Sequence, residues 1–171
     1  NLLWQTPTQS SLAFDTGFFL KTSDVVADKD ALFFSNNQNQ FFSLDIQTGN
    51  LNWKQEINSN LRPVIINDFI FTISLEGYLI ILEKNTGNII RSNYLLNKFK
   101  AKNRPKIKPT GFIVGNKNIY LSSNIGRLLV IDIANGETKT ILKIDNKKIS
   151  RPAIFNKNLY LITDNSIIKL N

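Results

Sequence analysis

The segment Asn97-Lys98-Phe99-Lys100-Ala101-Lys102-Asn103-Arg104-Pro105-Lys106-Ile107-Lys108 packs six cations and no acid into one short stretch. Such a cluster attracts anionic surfaces, with each lysine acting as a hydrated point charge rather than a bidentate fork. Phe99 and Ile107 would be the apolar anchors of a partner-binding loop. The alternative is a solvated loop whose charges only keep the chain from aggregating. Lysines dominate and few aromatics interleave with them, so phosphate attraction alone would operate and no nucleic-acid partner is expected. The formal net charge of +8 agrees with an acidic partner or an anionic membrane surface.

The catalytic toolkit is thin. Cysteine and histidine are both absent, which removes thiolate chemistry, imidazole bases and most zinc sites. The carboxylates Asp45, Glu83 and Asp132 could suggest a metal cluster. However, each sits before a Thr-Gly or Asn-Gly turn in its own copy of a repeated segment, which separates them. No phosphate loop, nucleophile elbow or metal-ligand spacing appears. The expectation is therefore no catalytic, cofactor-binding or metal site.

The repeat behind that argument is Asp45-Ile46-Gln47-Thr48-Gly49, followed by Leu51-Asn52-Trp53. Glu83-Lys84-Asn85-Thr86-Gly87 and Asp132-Ile133-Ala134-Asn135-Gly136 copy the turn. A carboxylate that accepts from turn amides and a glycine that supplies positive φ make a tight hairpin. Gly77 and Gly126 mark a second set of turns, spaced from each other as Gly87 is from Gly136. Two independent markers keeping one spacing indicate a repeat protein.

Four units follow, at about 25–57, 61–95, 109–144 and 149–171, each a meander of short strands. Residues 1–6 resemble the strand at Asn50–Gln55, with Trp4 in the place of Trp53, and suit a closing strand for the last unit. Residues 7–22 form a longer connection carrying Phe14, Phe18 and Phe19 as exposed or partner-facing aromatics. The basic segment 97–108 is an insertion between units two and three. The chain opens on residues that already read as strand, which implies a preceding portion.

Strands such as Phe69–Ile73, Leu79–Leu82 and Leu128–Ile131 are apolar on both faces. A sheet with one wet face would alternate. Small sheets stacked radially bury both faces, so the fold class is all-β, a β-propeller of four-stranded antiparallel blades. A β-sandwich explains the strands but not the repeated turn. In a propeller, Arg62 and Arg151 begin inner strands and would line the rim of the central channel. Asp24 and Gly111 hold the equivalent places in the other units, so the ring of cations is incomplete and a structural role is the alternative.

The pattern Asp45-x-x-Thr48-Gly49-x-x-x-Trp53 resembles the blade signature of the PQQ-like β-propeller repeat family. That family includes quinoprotein dehydrogenases and BamB-type lipoproteins of outer-membrane barrel assembly. The signature is full in the first unit. Glu83 and Arg91 replace Asp and Trp in the second unit, while Asn135 and Thr140 replace Thr and Trp in the third. The resemblance, closest in look to the C-terminal portion of a BamB-type protein, implies a non-catalytic protein-binding scaffold without cofactor, in the periplasm at the outer membrane. Its partner would be a barrel-assembly component or a nascent outer-membrane protein. Self-association to complete a larger ring is a further implication, since family rings commonly hold more blades than four. The alternative it carries is a piece of a PQQ-dependent quinoprotein dehydrogenase.

Overall fold

The computed structural model describes residues 1–8 and 20–171. Phe14, Phe18 and Phe19 lie outside the described residues. Four antiparallel sheets follow one another along the chain, with strands in sequence order in each. The first holds β1 (Val26–Asp28), β2 (Ala31–Asn36), β3 (Gln40–Asp45) and β4 (Leu51–Gln55). The second holds β5 (Val64–Ile66), β6 (Phe69–Ile73), β7 (Tyr78–Glu83) and β8 (Ile89–Tyr94). The third holds β9 (Pro109–Val114), β10 (Asn118–Ser123), β11 (Arg127–Asp132) and β12 (Thr138–Lys143). The fourth holds β13 (Ala153–Phe155), β14 (Asn158–Ile162) and β15 (Ile167–Leu170). These meanders are the blades of a β-propeller.

The doubly apolar strands explain how the blades stack. Along β7, Ile80 and Leu82 join Phe33, Phe41, Trp53 and Ile70 in a core between blades one and two. The alternate residues Leu79 and Ile81 join Phe71, Phe112, Leu121 and Leu129 between blades two and three. A third cluster, built on Leu128, Ile149, Leu159 and Leu161, joins blades three and four. Because successive side chains point to opposite faces, a continuous apolar run is what a strand sandwiched between two sheets requires. Among the described residues, no core cluster joins blade four to blade one.

The carboxylate-to-glycine turns are superposable in their bonding. Gly49, Gly87 and Gly136 each donate their amide to the carbonyl of the carboxylate residue four positions earlier, at 2.9 Å. Their φ values are +72°, +74° and +75°, a region that costs other residues a steric penalty. The ladder shifts register at the matching place in each blade, beside Ser43, Ile81 and Val130.

Residues 1–6 carry no strand pairing, and β15 has no fourth strand beside it among the described residues. They dock on blade one instead. The Trp4 indole donates Nε1 to the Ile46 carbonyl at 3.2 Å, and the Thr6 hydroxyl donates to the Gly49 carbonyl.

Candidate functional site

Three places bring together the residues that the sequence singles out: the seams between blades, the inner rim and the basic insertion.

At the seams, the repeat motif holds neighbouring blades together. The Asp45 carboxylate accepts from the amides of Gln47 and Thr48, at 3.0 and 2.7 Å, and from the Thr48 hydroxyl at 2.9 Å. These bonds, that of the Thr48 amide foremost, hold its carboxyl below the usual carboxylate range. Thr86 donates to Glu83 at 2.6 Å in the same way. Asp132 pairs with Lys139 at 2.7 Å, and that bond with Lys139, then the Ala134 amide, lowers its pKa as well. Each glycine leaves room for a side chain of the preceding segment. Trp4 covers Gly49, Trp53 covers Gly87, and Arg91 with Asn93 covers Gly136. The indole of Trp53 donates to the Lys84 carbonyl at 2.9 Å, and Gln55 donates to the Gly87 carbonyl at 2.8 Å. Where Arg91 replaces the tryptophan, its guanidinium reaches the Ile133 carbonyl at 3.3 Å. The departure from the signature keeps the same hydrogen bond.

Arg62 and Arg151 both line a cavity of about 970 Å³ against the inner strands of blades one and two. Arg151 Nε donates to the Phe112 carbonyl at 3.0 Å. Burial, followed by repulsion from Arg62, lowers the Arg151 pKa, and the Asp24 carboxylate opposes the shift. Gly111 stands in the equivalent place of blade three because Arg151 packs onto it. A Cβ there would lie 2.5 Å from that of Arg151. The cavity wall also carries Asp28 and Asp68, and Lys84 is paired with Asp28 at 2.6 Å. The rim is therefore mixed in charge.

The basic insertion is tied to the body of the protein by hydrogen bonds and packing. Residues Ala101–Lys106 form a 3-10 helix. Arg104 folds back to donate to the carbonyls of Phe99 and Asn97, at 2.9 and 2.8 Å. Asn124, from the neighbouring turn, donates to the Lys106 carbonyl at 3.0 Å and accepts the Lys108 amide at 2.7 Å. Ile107 is 3% exposed and belongs to the core between blades two and three, with Phe99 partly buried against it. These two apolar residues anchor the insertion to the body of the protein. An insertion must be tied down somewhere, and an oily side chain beside a sheet core is the cheapest tie. Lys98, Lys100, Lys102, Lys106 and Lys108 remain exposed. Lys98 donates to the Lys139 carbonyl at 2.7 Å. Among the described residues, none of the insertion's cations pairs with a carboxylate.

Beside the insertion is a cleft of about 550 Å³ that the sequence reading did not find. Tyr78, Tyr94, Arg104, Pro105, Ile107 and Lys108 are among its lining. The rings of Tyr78 and Tyr94 meet at 4.9 Å between centroids, tilted by 47°, and the Arg104 guanidinium lies 5.8 Å over Tyr94. Counting outward from the Thr86-Gly87 turn would pair Tyr78 with Asn93; the register shift beside Ile81 brings Tyr94 opposite it instead.

The family model described as outer membrane protein assembly factor BamB matches residues 1–93. No curated protein sequence matches. Among solved structures, BamB from Moraxella catarrhalis aligns with a TM-score of 0.69 at 14% identity, covering 86% of this chain and 41% of that one. The computationally designed Ika4 protein aligns with a TM-score of 0.66 at 12% identity, covering 86% of this chain and 91% of the other. A quinohemoprotein alcohol dehydrogenase, ADHIIG from Pseudomonas putida HK5, aligns with a TM-score of 0.55 at 14% identity over 67% of this chain and 19% of its own. At these identities the structural likenesses are likenesses of fold. This chain spans about two fifths of the length of the Moraxella protein.

Proposed function

Given that the chain belongs to the PQQ-like propeller family described by the outer membrane protein assembly factor BamB, we propose that it is a non-catalytic protein-binding scaffold in the assembly of outer-membrane β-barrel proteins. The family match over residues 1–93 is the observation that carries this reading. It operates in the periplasm at the outer membrane, and its partner is a barrel-assembly component or a nascent outer-membrane protein. A rigid stack of blades supports the role, because it presents loops at fixed spacing while its core stays unchanged on binding. Self-association into a larger ring, and contact with an anionic membrane surface, are compatible with it.

The other branch of the family holds a quinone with calcium. The residues here do not fit that group: Asp45, Glu83 and Asp132 stand one to a blade, each bonded within its own turn. Among the described residues, no three carboxylates gather where a calcium ion could be held. The dehydrogenase reading stays the alternative, supported by the likeness of fold to ADHIIG.

Immobilised protein incubated with detergent-solubilised total cell membranes, inner and outer together, tests the proposal. Outer-membrane β-barrel proteins, or the components that assemble them, are expected to be enriched over inner-membrane proteins. Absence of that enrichment, or quinone- and calcium-dependent dye reduction by the protein, would overturn it.

A further inference from the structure

We propose that the cleft between the Tyr78–Tyr94 pair and the basic 3-10 segment receives an extended acidic segment of a partner protein. The proposal rests on the scaffold reading and names the chemistry of what that scaffold holds.

Shape is the first argument. The cleft is concave, about 550 Å³, and its wall combines two aromatic rings with Pro105 over a floor at Ile107. Tyr78 is 42% exposed. Tyrosine and arginine beside an apolar floor are the side chains that carry most binding energy at protein interfaces. A bilayer surface cannot enter a concavity of this size.

Preorganisation is the second. Arg104 is held by two backbone carbonyls and by Tyr94. Asn124 holds the far end of the insertion, and Ile107 is buried beneath it. A partner would meet a surface already in place, so little ordering entropy is lost on binding.

Charge is the third, and it selects the partner's chemistry. Lys108 lines the cleft, Lys102 and Lys106 stand on the adjoining 3-10 segment, all three are exposed, and no carboxylate pairs with them among the described residues. The one acid on the cleft wall, Glu76, accepts from the Asn58 amide and keeps its charge, against the two cations Arg104 and Lys108 of the same wall. Lysines without counter-charges beside an apolar cleft complement carboxylates interspersed with apolar side chains. Single-stranded nucleic acid suits the site less well. The two rings are tilted by 47° and the guanidinium occupies one face of Tyr94, so successive bases find no parallel platform.

A random dodecapeptide display library panned on the immobilised protein tests this. Selected peptides are expected to be enriched in Asp and Glu around an apolar residue. The best of them, made synthetically, should bind at least tenfold more weakly to Lys102→Glu/Lys106→Glu/Lys108→Glu and about fivefold more weakly to Tyr78→Ala. Binding should also weaken as salt rises. Thermal melts of both variants confirm that they are folded. Selected peptides without acidic excess, or equal binding to both variants, would overturn the proposal. So would tighter binding of dT12 or of phosphatidylglycerol vesicles with the same residue dependence. The solubilised-membrane capture, repeated with the triple variant, separates the two claims. If outer-membrane proteins are still captured, the scaffold reading stands and this surface falls. If wild type captures none, the scaffold reading falls on its own.

Discussion

The indole of Trp53 lies on Gly87 of the next blade, so close that a Cβ on that glycine would sit 2.6 Å from the ring. Its nitrogen donates to the Lys84 carbonyl at 2.9 Å. One residue from each of two blades thus makes a seam, and the same arrangement recurs with Trp4 on Gly49 and with Arg91 and Asn93 on Gly136.

Gly87→Ala is therefore expected to be strongly destabilising. The substitution meets both a positive φ of +74° and a ring that cannot retreat, and should cost about 2–4 kcal/mol. Trp53→Phe keeps most of the packing and loses the hydrogen bond to Lys84, for about 1 kcal/mol. Urea unfolding of the two variants beside wild type checks both. A loss at Gly87→Ala no larger than at Trp53→Phe would contradict the seam.

The orientation of the insertion gives a second prediction. Ile107 is 3% exposed in the core between blades two and three, so Ile107→Ala should cost about 2–4 kcal/mol. Lys102→Gln, on the exposed side of the same segment, should change stability by less than about 0.5 kcal/mol. Thermal or urea denaturation reads both. Equal effects would mean that the insertion is a free loop after all.

Acid should loosen the turns. The carboxyls of Asp45 and Asp132 have folded pKa values below their ordinary 3.8. The stability they contribute is present above the ordinary value and is lost as pH falls through the folded one. The urea midpoint should drop between pH 5 and pH 3, and Asp45→Asn should show a shallower drop than wild type. Both carboxylates are partly open to solvent, so the effect is small. An identical slope in the variant would contradict the role given to the carboxylate.

The inner rim supplies a prediction of opposite sign. Arg62 repels Arg151, which is partly buried. Arg62→Gln should leave stability unchanged or raise it by up to about 0.5 kcal/mol, with the gain shrinking as salt is added. Destabilisation on that substitution would show that the arginine pair is held together by something the rim supplies.

Much of this was legible in the sequence because blades repeat. The turn Asp45-x-x-Thr48-Gly49 fixed where hairpins fall, and continuous apolar runs at β6 and β7 required neighbours on both faces. The seams were only half legible. Trp53 announced a packing residue, but nothing in a linear reading says that its partner is Gly87 of the next blade. Arg91 looked like a loss of the motif, yet its guanidinium takes up the tryptophan's hydrogen bond to the following turn. The insertion misled for a physical reason: its charge pattern is local, whereas the burial of Phe99 and Ile107 depends on a sheet formed elsewhere. The Tyr78–Tyr94 cleft needed both at once, the hairpin register and the docked 3-10 helix.

Nuclear Overhauser contacts from the two indoles probe the radial stacking of blades without recourse to stability. The chain has two tryptophans, so each indole can be assigned by a single substitution. Trp53 ring protons are expected to contact the α-protons of Gly87, and Trp4 ring protons those of Gly49. Contacts of Trp53 with Gly49 of its own hairpin, or no contact with Gly87, would contradict that stacking.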